Sequence, residues 1–239
     1  MADASVDIEP ESHPQRIQRS LFWLALLLGL LNIAGLYMGN RPLVYATKPG
    51  TMLVILIGAA LGSSRAPSRY AILVLAGLVC SLVGDIFLML PSDQFVPGLV
   101  SFLIAHLFYI AAFRSGMTGF GPAWLPLPFF AYGLAAFWVL LPGLGDMKLP
   151  VIAYLLTILT MAWQSAVRWN AKRDRSCLFA FAGALLFVVS DSLIAFNRFH
   201  TRFYFAEALI MSTYFVAQWL IAFSVSPQVE TAIIPATSK

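Results

Sequence analysis

The chain of 239 residues is 60% hydrophobic and 11% charged, with a mean hydropathy of +0.82. Soluble domains run at roughly 45–50% apolar and about 25% charged, so a water-soluble globule and a disordered chain are both excluded. The net charge of +4 reads as loop charge that orients a membrane protein, with no nucleic acid as partner.

A transmembrane helix takes about 20 apolar residues, so eight spans use about 160 and leave about 80 for tails and loops. No second, soluble domain fits in that remainder. The expected fold is all-α, a polytopic bundle of eight transmembrane helices with short loops.

The first 20 residues read as a tail. Asp3, Asp7, Glu9 and Glu11 precede Arg16 and Arg19, which is not the basic start of a signal peptide. Leu21–Met38 is therefore expected to be a retained first span. The next apolar runs are Thr47–Leu61, Ala71–Leu90 and Phe95–Phe113. The second is short and is expected to be tilted or to start earlier, near Val44. Trp124–Leu141 holds Pro126 and Pro128, which predict a kink or a late helix start. Leu149–Val167, Cys177–Asn197 and Tyr204–Val225 complete the set, so the bundle is expected over 21–225 with a tail at 226–239. Ten of the fifteen Lys and Arg, Arg65, Arg168 and Lys239 among them, fall on the side of the N-terminus and five on the other. The positive-inside rule then places both termini in the cytoplasm.

Two carboxylates stand out. Asp85 lies 14 residues past Ala71, and Asp191 lies 14 past Cys177. The two helices run in the same direction, so both carboxyls sit about 21 Å from the cytoplasmic ends of their runs. Placing a carboxylate in a membrane core costs about 2.5–3.5 kcal/mol even on a lenient scale. Two at one depth are expected to meet around one cavity and share a proton, one as donor and one as acceptor. That equips general acid–base hydrolysis with a water. A structural reading, in which each Asp caps a helix or pairs with an arginine, is the alternative. By register no Lys or Arg shares their depth.

Other polar residues in the spans are candidates to line the same cavity. Ser81 is one turn before Asp85. His106 and Tyr109 share a face. Tyr154 lies in the sixth run, and Asn32 stands alone in the first. Glu207, Met211, Tyr214 and Gln218 make one stripe at i, i+4, i+7, i+11. The three histidines and two cysteines have no zinc-ligand spacing, so no metal or other cofactor is expected. No P-loop, G-x-G-x-x-G or G-x-S-x-G occurs. Gly84-Asp85 suggests a GxGD protease signature, but Leu82 replaces the first glycine. A gap-free match of Gly77–Leu90 on Gly183–Phe196 superposes Gly, Val and Asp at a shift of 106 residues, a hint of two parallel four-helix halves.

Five segments together resemble the YhhN-type membrane lysoplasmalogenases. They are Thr47-Lys48-Pro49, SLVGDIFLML (Ser81–Leu90), FLIAHLFYI (Phe102–Ile110), GALLFVVSDSLIAFNRF (Gly183–Phe199) and STYFVAQWLI (Ser212–Ile221). The resemblance implies eight spans and hydrolysis of the vinyl-ether bond of a lysoplasmenyl-ethanolamine or -choline lipid. The products would be a fatty aldehyde and glycerophosphoethanolamine or glycerophosphocholine. It carries catalytic roles onto Asp85 and Asp191 and supporting roles onto His106, Tyr214 and Gln218. The chemistry agrees with the carboxylate pair, because vinyl-ether hydrolysis, like glycoside hydrolysis, passes through an oxocarbenium ion. Lys48, Arg198, His200 and Arg202 are candidate phosphate contacts at the outer mouth. The implied membrane is the inner membrane of a bacterium or the endoplasmic reticulum of a eukaryote. The rival expectations are a proton- or cation-coupled transporter using the same aspartates and a non-enzymatic lipid-binding protein.

Overall fold

The computed structural model describes residues 13–63 and 67–226. Of the charges counted above, Asp3, Asp7, Glu9, Glu11, Arg65, Glu230 and Lys239 lie outside the described residues. The described chain is all-helical. Eight α-helices follow in order: α1 (His13–Tyr37), α2 (Arg41–Gly62), α3 (Arg69–Met89), α4 (Phe95–Arg114), α5 (Leu127–Leu140), α6 (Lys148–Lys172), α7 (Arg175–Phe199) and α8 (Ala206–Phe223). Seven are long and apolar enough to cross a membrane, and α5 falls short. The protein is a multi-pass membrane protein.

Large apolar side chains point outward, among them Leu27, Leu30, Ile57, Leu107 and Trp138, while Asn32, Thr51, Ser81, Asp85, His106 and Gln218 are buried. This inverts a soluble protein, as expected where lipid is the solvent and polar groups must find partners inside.

Local signals set the helix limits. Gly39 takes the left-handed region at φ +66, and the Asn40 side chain accepts from the Leu43 N–H at 3.1 Å. With Pro42 in the first turn, α2 starts six residues before the apolar run at Thr47. Pro126 and Pro128 delay α5, which begins at Leu127. Residues 115–126 run alongside α6 instead, with the Phe120 ring stacked on Trp163. Arg173 at φ +56 and the Asp174 cap on Cys177 N–H join α6 to α7 in two residues. Arg168, expected among the loop charges, lies within α6 and is buried. It donates to the carbonyls of Ser115 at 2.7 Å and Phe113 at 3.4 Å, over the Tyr70 ring. It thereby satisfies the open carbonyl end of α4.

Apart from α4 and α5, consecutive helices pack as antiparallel neighbours, most extensively α3 on α4, α7 on α8 and α1 on α2. Two non-consecutive pairings close the bundle, α4 on α6 and α2 on α8. The connections at 38–40, 90–94, 141–147 and 200–205 share the face opposite the start of α1, the distal face below. The helix α5 sits at the edge, against α6 and α7.

Candidate active site

Asp85 and Asp191 each lie sixteen residues after the first residue of their helix, Arg69 in α3 and Arg175 in α7. At about 1.5 Å per residue both are about 24 Å along, toward the distal end.

Asp85 is 1% exposed. Its Oδ1 lies 3.2 Å from Lys48 Nζ, and its Oδ2 accepts from the Tyr214 hydroxyl at 2.5 Å. The Tyr214 oxygen accepts from Gln218 Nε2 at 3.2 Å, and Gln218 Oε1 accepts from the Tyr109 hydroxyl at 2.8 Å. Donation thus runs in one direction from α4 through α8 to the carboxylate in α3. The expectation that no cation shares the depth of the aspartates is corrected here. Because α2 begins at Arg41, Lys48 is carried seven residues, about 10 Å, into the bundle. It is 7% exposed and faces Asp85.

Asp191 is half-buried. Its partner is the Tyr154 hydroxyl of α6, which donates to Oδ2. The Tyr154 ring meets the His106 ring edge-on, centroids 5.2 Å apart, and His106 meets Phe187 at 4.7 Å. His106 is fully buried with neither ring nitrogen hydrogen-bonded, and Ser81 Oγ is also unpartnered. Such orphaned groups are uncommon and mark a place for water or ligand. Phe102, Phe187 and Tyr214 pack edge to face at 5.6–6.1 Å, and of the two carboxylates only Asp191 borders the cavities described below, so the expected common cavity is not found there.

Glycine makes that packing possible. A Cβ on Gly77 would overlap the Tyr109 ring, and one on Gly84 would lie 2.7 Å from Phe102. The two glycines are seven residues apart on one face of α3, so α4 approaches closely enough to bring Tyr109 and Phe102 to the site.

Three cavities surround these residues. An apolar one of about 360 Å³ opens between α5, α6 and α7, with Tyr132, Leu140, Val151, Tyr154, Val188 and Asp191 in its wall. A small one of about 50 Å³ shares Val151, Tyr154 and Asp191 with it and reaches Phe102 and Leu88. The third, about 470 Å³, lies at the distal face and also touches Leu88. Its polar residues are Asn32, Arg41, Tyr45, Lys48 and Glu207. Leu88 therefore separates a polar chamber from the apolar slot that ends on Asp191.

Of the expected head-group contacts, only Lys48 lines the polar chamber. Arg198 pairs with Asp93 at 2.9 Å over the Phe95 ring. His200 lies against Phe196, and Arg202 is exposed. Glu207, the first member of the α8 stripe, lines the chamber, while Tyr214 and Gln218 belong to the Asp85 network. Arg41 and Tyr45 were not singled out in the sequence. The signal for them was the Asn40-Arg41-Pro42 helix start, which puts Arg41, Tyr45 and Lys48 at i, i+4, i+7. Among the described residues no three His, Cys, Asp or Glu group as metal ligands.

No solved structure matches this one. Among curated proteins, the human "Lysoplasmalogenase TMEM86B" is 39% identical over 155 residues, covering 65% of this chain and 64% of that protein. The human "Lysoplasmalogenase TMEM86A" is 37% identical over 165 residues, 63% of this chain and 64% of that protein. The match thus spans a little less than two thirds of these relatives. The "Uncharacterized membrane protein YhhN" of Escherichia coli O157:H7 is 30% identical over 204 residues, covering 84% of this chain and 95% of that protein. The model of the YhhN family matches residues 43–225, a stretch that holds α3 to α8, both aspartates and Lys48, and on that match the chain belongs to the YhhN family.

Proposed function

We propose that this protein is a lysoplasmalogenase, cleaving the vinyl-ether bond of a lysoplasmenyl lipid with Asp191 as acid. The observation that carries this reading is the placement of Asp191 in the wall of an apolar slot, in a bundle that also buries a second, ion-paired carboxylate, Asp85. The names of the mammalian relatives supply the substrate class. The hydrocarbon chain would lie in the slot under α5, open toward lipid, with the head group on the distal side of Leu88.

In this mechanism the Asp191 carboxyl gives its proton to the β-carbon of the vinyl ether, and the π electrons form the new C–H bond. The α-carbon and ether oxygen then share the positive charge of an oxocarbenium ion. Asp85, matched by the Lys48 ammonium and the Tyr214 hydroxyl, is the fixed carboxylate. It offsets that charge and draws the proton from the water adding to the α-carbon. The hemiacetal then collapses: Asp85 gives its proton to the departing glycerol oxygen, which leaves as an alcohol, the hemiacetal hydroxyl returns a proton to Asp191, and an aldehyde remains. One water is consumed and the carboxyls end as they began. Tyr154 positions Asp191, and His106 and Ser81 offer sites for the water. Both termini are assigned to the cytoplasm, so the polar chamber opens on the opposite side.

The test is aldehyde release from lysoplasmenylethanolamine by the full chain in detergent. Asp191→Asn and Asp85→Asn should each lower release by about 10²-fold or more with folded yield intact. Full activity in either variant overturns the mechanism. Substrate flux in proteoliposomes without aldehyde would favour the coupled-transporter reading.

A further inference from the structure

The two aspartates belong to separate spaces. Asp191 borders the apolar slot and the small cavity of about 50 Å³. Asp85 borders none of the three cavities, and its partner Lys48 lines the distal chamber of about 470 Å³. Of the residues that line the small cavity and the chamber, Leu88 alone is common to both. It lies three residues after Asp85 on α3, one residue before the helix ends at Met89, and so shares a face with the carboxylate. Its side chain is half-buried. Gly98, in the first turn of α4, adds an independent observation. A Cβ there would lie 2.6 Å from Leu88 Cδ2 and 2.8 Å from Leu88 Cγ. Leu88 thus rests in a berth that exists because residue 98 has no side chain. Cavities flank it, one polar and one apolar. A leucine passes between staggered rotamers without backbone motion, and the flanking cavities give its isobutyl group somewhere to go.

We propose that Leu88 is a gate between the two cavities, closed in this structure, and that its rotation off Gly98 joins the distal chamber to the apolar slot. With the gate closed, no cavity reaches both Lys48 and Asp191. With it open, water that enters the chamber beside Lys48 reaches the Asp191 carboxyl. The gate follows from the packing alone, whereas its place in a reaction rests on the hydrolase reading above. In that reaction the closed gate keeps the slot dry, and the open gate brings the water that hydrolysis consumes.

The experiment uses the full chain in lipid nanodiscs, carrying Cys80→Ala, Cys177→Ala and Ala195→Cys. Ala195 lines both the slot and the small cavity. The probe is a methanethiosulfonate bearing a sulfonate, whose charge keeps it out of lipid and confines it to water-filled routes. A minor open state holds about 10% of molecules or less, so Leu88→Ala should speed labelling of the introduced thiol about tenfold or more. Gly98→Ala, which pushes Leu88 off its berth, should speed it as well. Leu88→Met keeps the volume and should stay closer to the parent rate than to that of Leu88→Ala. Leu88→Trp should slow both labelling and aldehyde release from the vinyl-ether lipid. Labelling that is unchanged by Leu88→Ala overturns the gate. Labelling governed by Leu88 in a protein that releases no aldehyde keeps the gate and sinks the hydrolase reading. Aldehyde release with labelling indifferent to Leu88 does the reverse.

Discussion

Lys48 and Asp85 are each costly alone in the bundle interior and compatible together, at 3.2 Å and almost fully buried. Removing one partner of such a pair leaves an uncompensated buried charge and costs about 3–5 kcal/mol, whereas replacing both by apolar residues is often neutral. Lys48→Met should therefore lower the melting temperature in detergent, and Lys48→Met with Asp85→Leu should restore most of it without restoring aldehyde release. Equal melting of the single and double variants would show that the pair is not coupled. At the distal surface, the hydrogen bond and charge of Arg198 hold the Asp93 carboxyl below the usual carboxylate range. A depressed carboxyl contributes above its ordinary value of about 3.9 and loses its contribution as pH falls through the lowered one. The contact should thus be unchanged between about pH 5 and pH 8. NMR titration of Asp93 should give a midpoint below that of a free aspartate, and Arg198→Gln should bring it back up.

At the scale of elements, the closeness of α3 and α4 depends on glycine. Gly77→Ala would press on the Tyr109 ring, and overpacking of this kind costs typically 1–3 kcal/mol. Gly50 in α2 is a control, since its added Cβ would lie 3.7 Å from Leu28, an ordinary contact. Gly50→Ala should be neutral or stabilising by up to about 1 kcal/mol through helix propensity. Thermal melts of the two variants in detergent should separate clearly, and similar melts would mean that α4 yields at Tyr109. The edge helix α5 has a different part. Fourteen residues give about 21 Å, less than a hydrocarbon core of about 30 Å. A helix so lightly held forms one rim of the apolar slot, where the proposed reaction would need a lipid chain to enter from the side.

Across the whole molecule, the shift of 106 residues that superposes Asp85 on Asp191 also superposes Lys48 on Tyr154. Each is the partner of its own aspartate, Lys48 from α2 and Tyr154 from α6. The same shift exchanges the closing pairs, since α2 on α8 becomes α6 on α4. At the positions that this shift pairs, one carboxylate meets an ammonium and the other a hydroxyl, and that difference would separate the proposed roles of base and acid. Topology is open to labelling. In a Cys80→Ala background, Ser92→Cys between α3 and α4 should react with an impermeant maleimide from the non-cytoplasmic side, and Lys172→Cys at the end of α6 from the cytoplasmic side. Reaction of both from one side would overturn the assigned crossing pattern.

Much of this was legible in the chain. Apolar runs of span length, prolines near 126 and two isolated aspartates follow from transfer energies and backbone sterics, which act locally. The helical stripe ending in Tyr214 and Gln218 was readable for the same reason, because spacing alone puts its members on one face. The start of α2 was less legible, since polar Arg41 to Lys48 break the apolar pattern while the cap at Asn40 continues the helix. What faces what was not local at all. Only tertiary packing decided that Lys48 reaches Asp85, that Tyr154 reaches Asp191, and that Glu207 shares a chamber with Arg41. A buried charge is tolerated by whichever partner the neighbouring helices bring within bonding distance, and that depends on rotations and close approaches, such as the one at Gly77, that no single helix encodes.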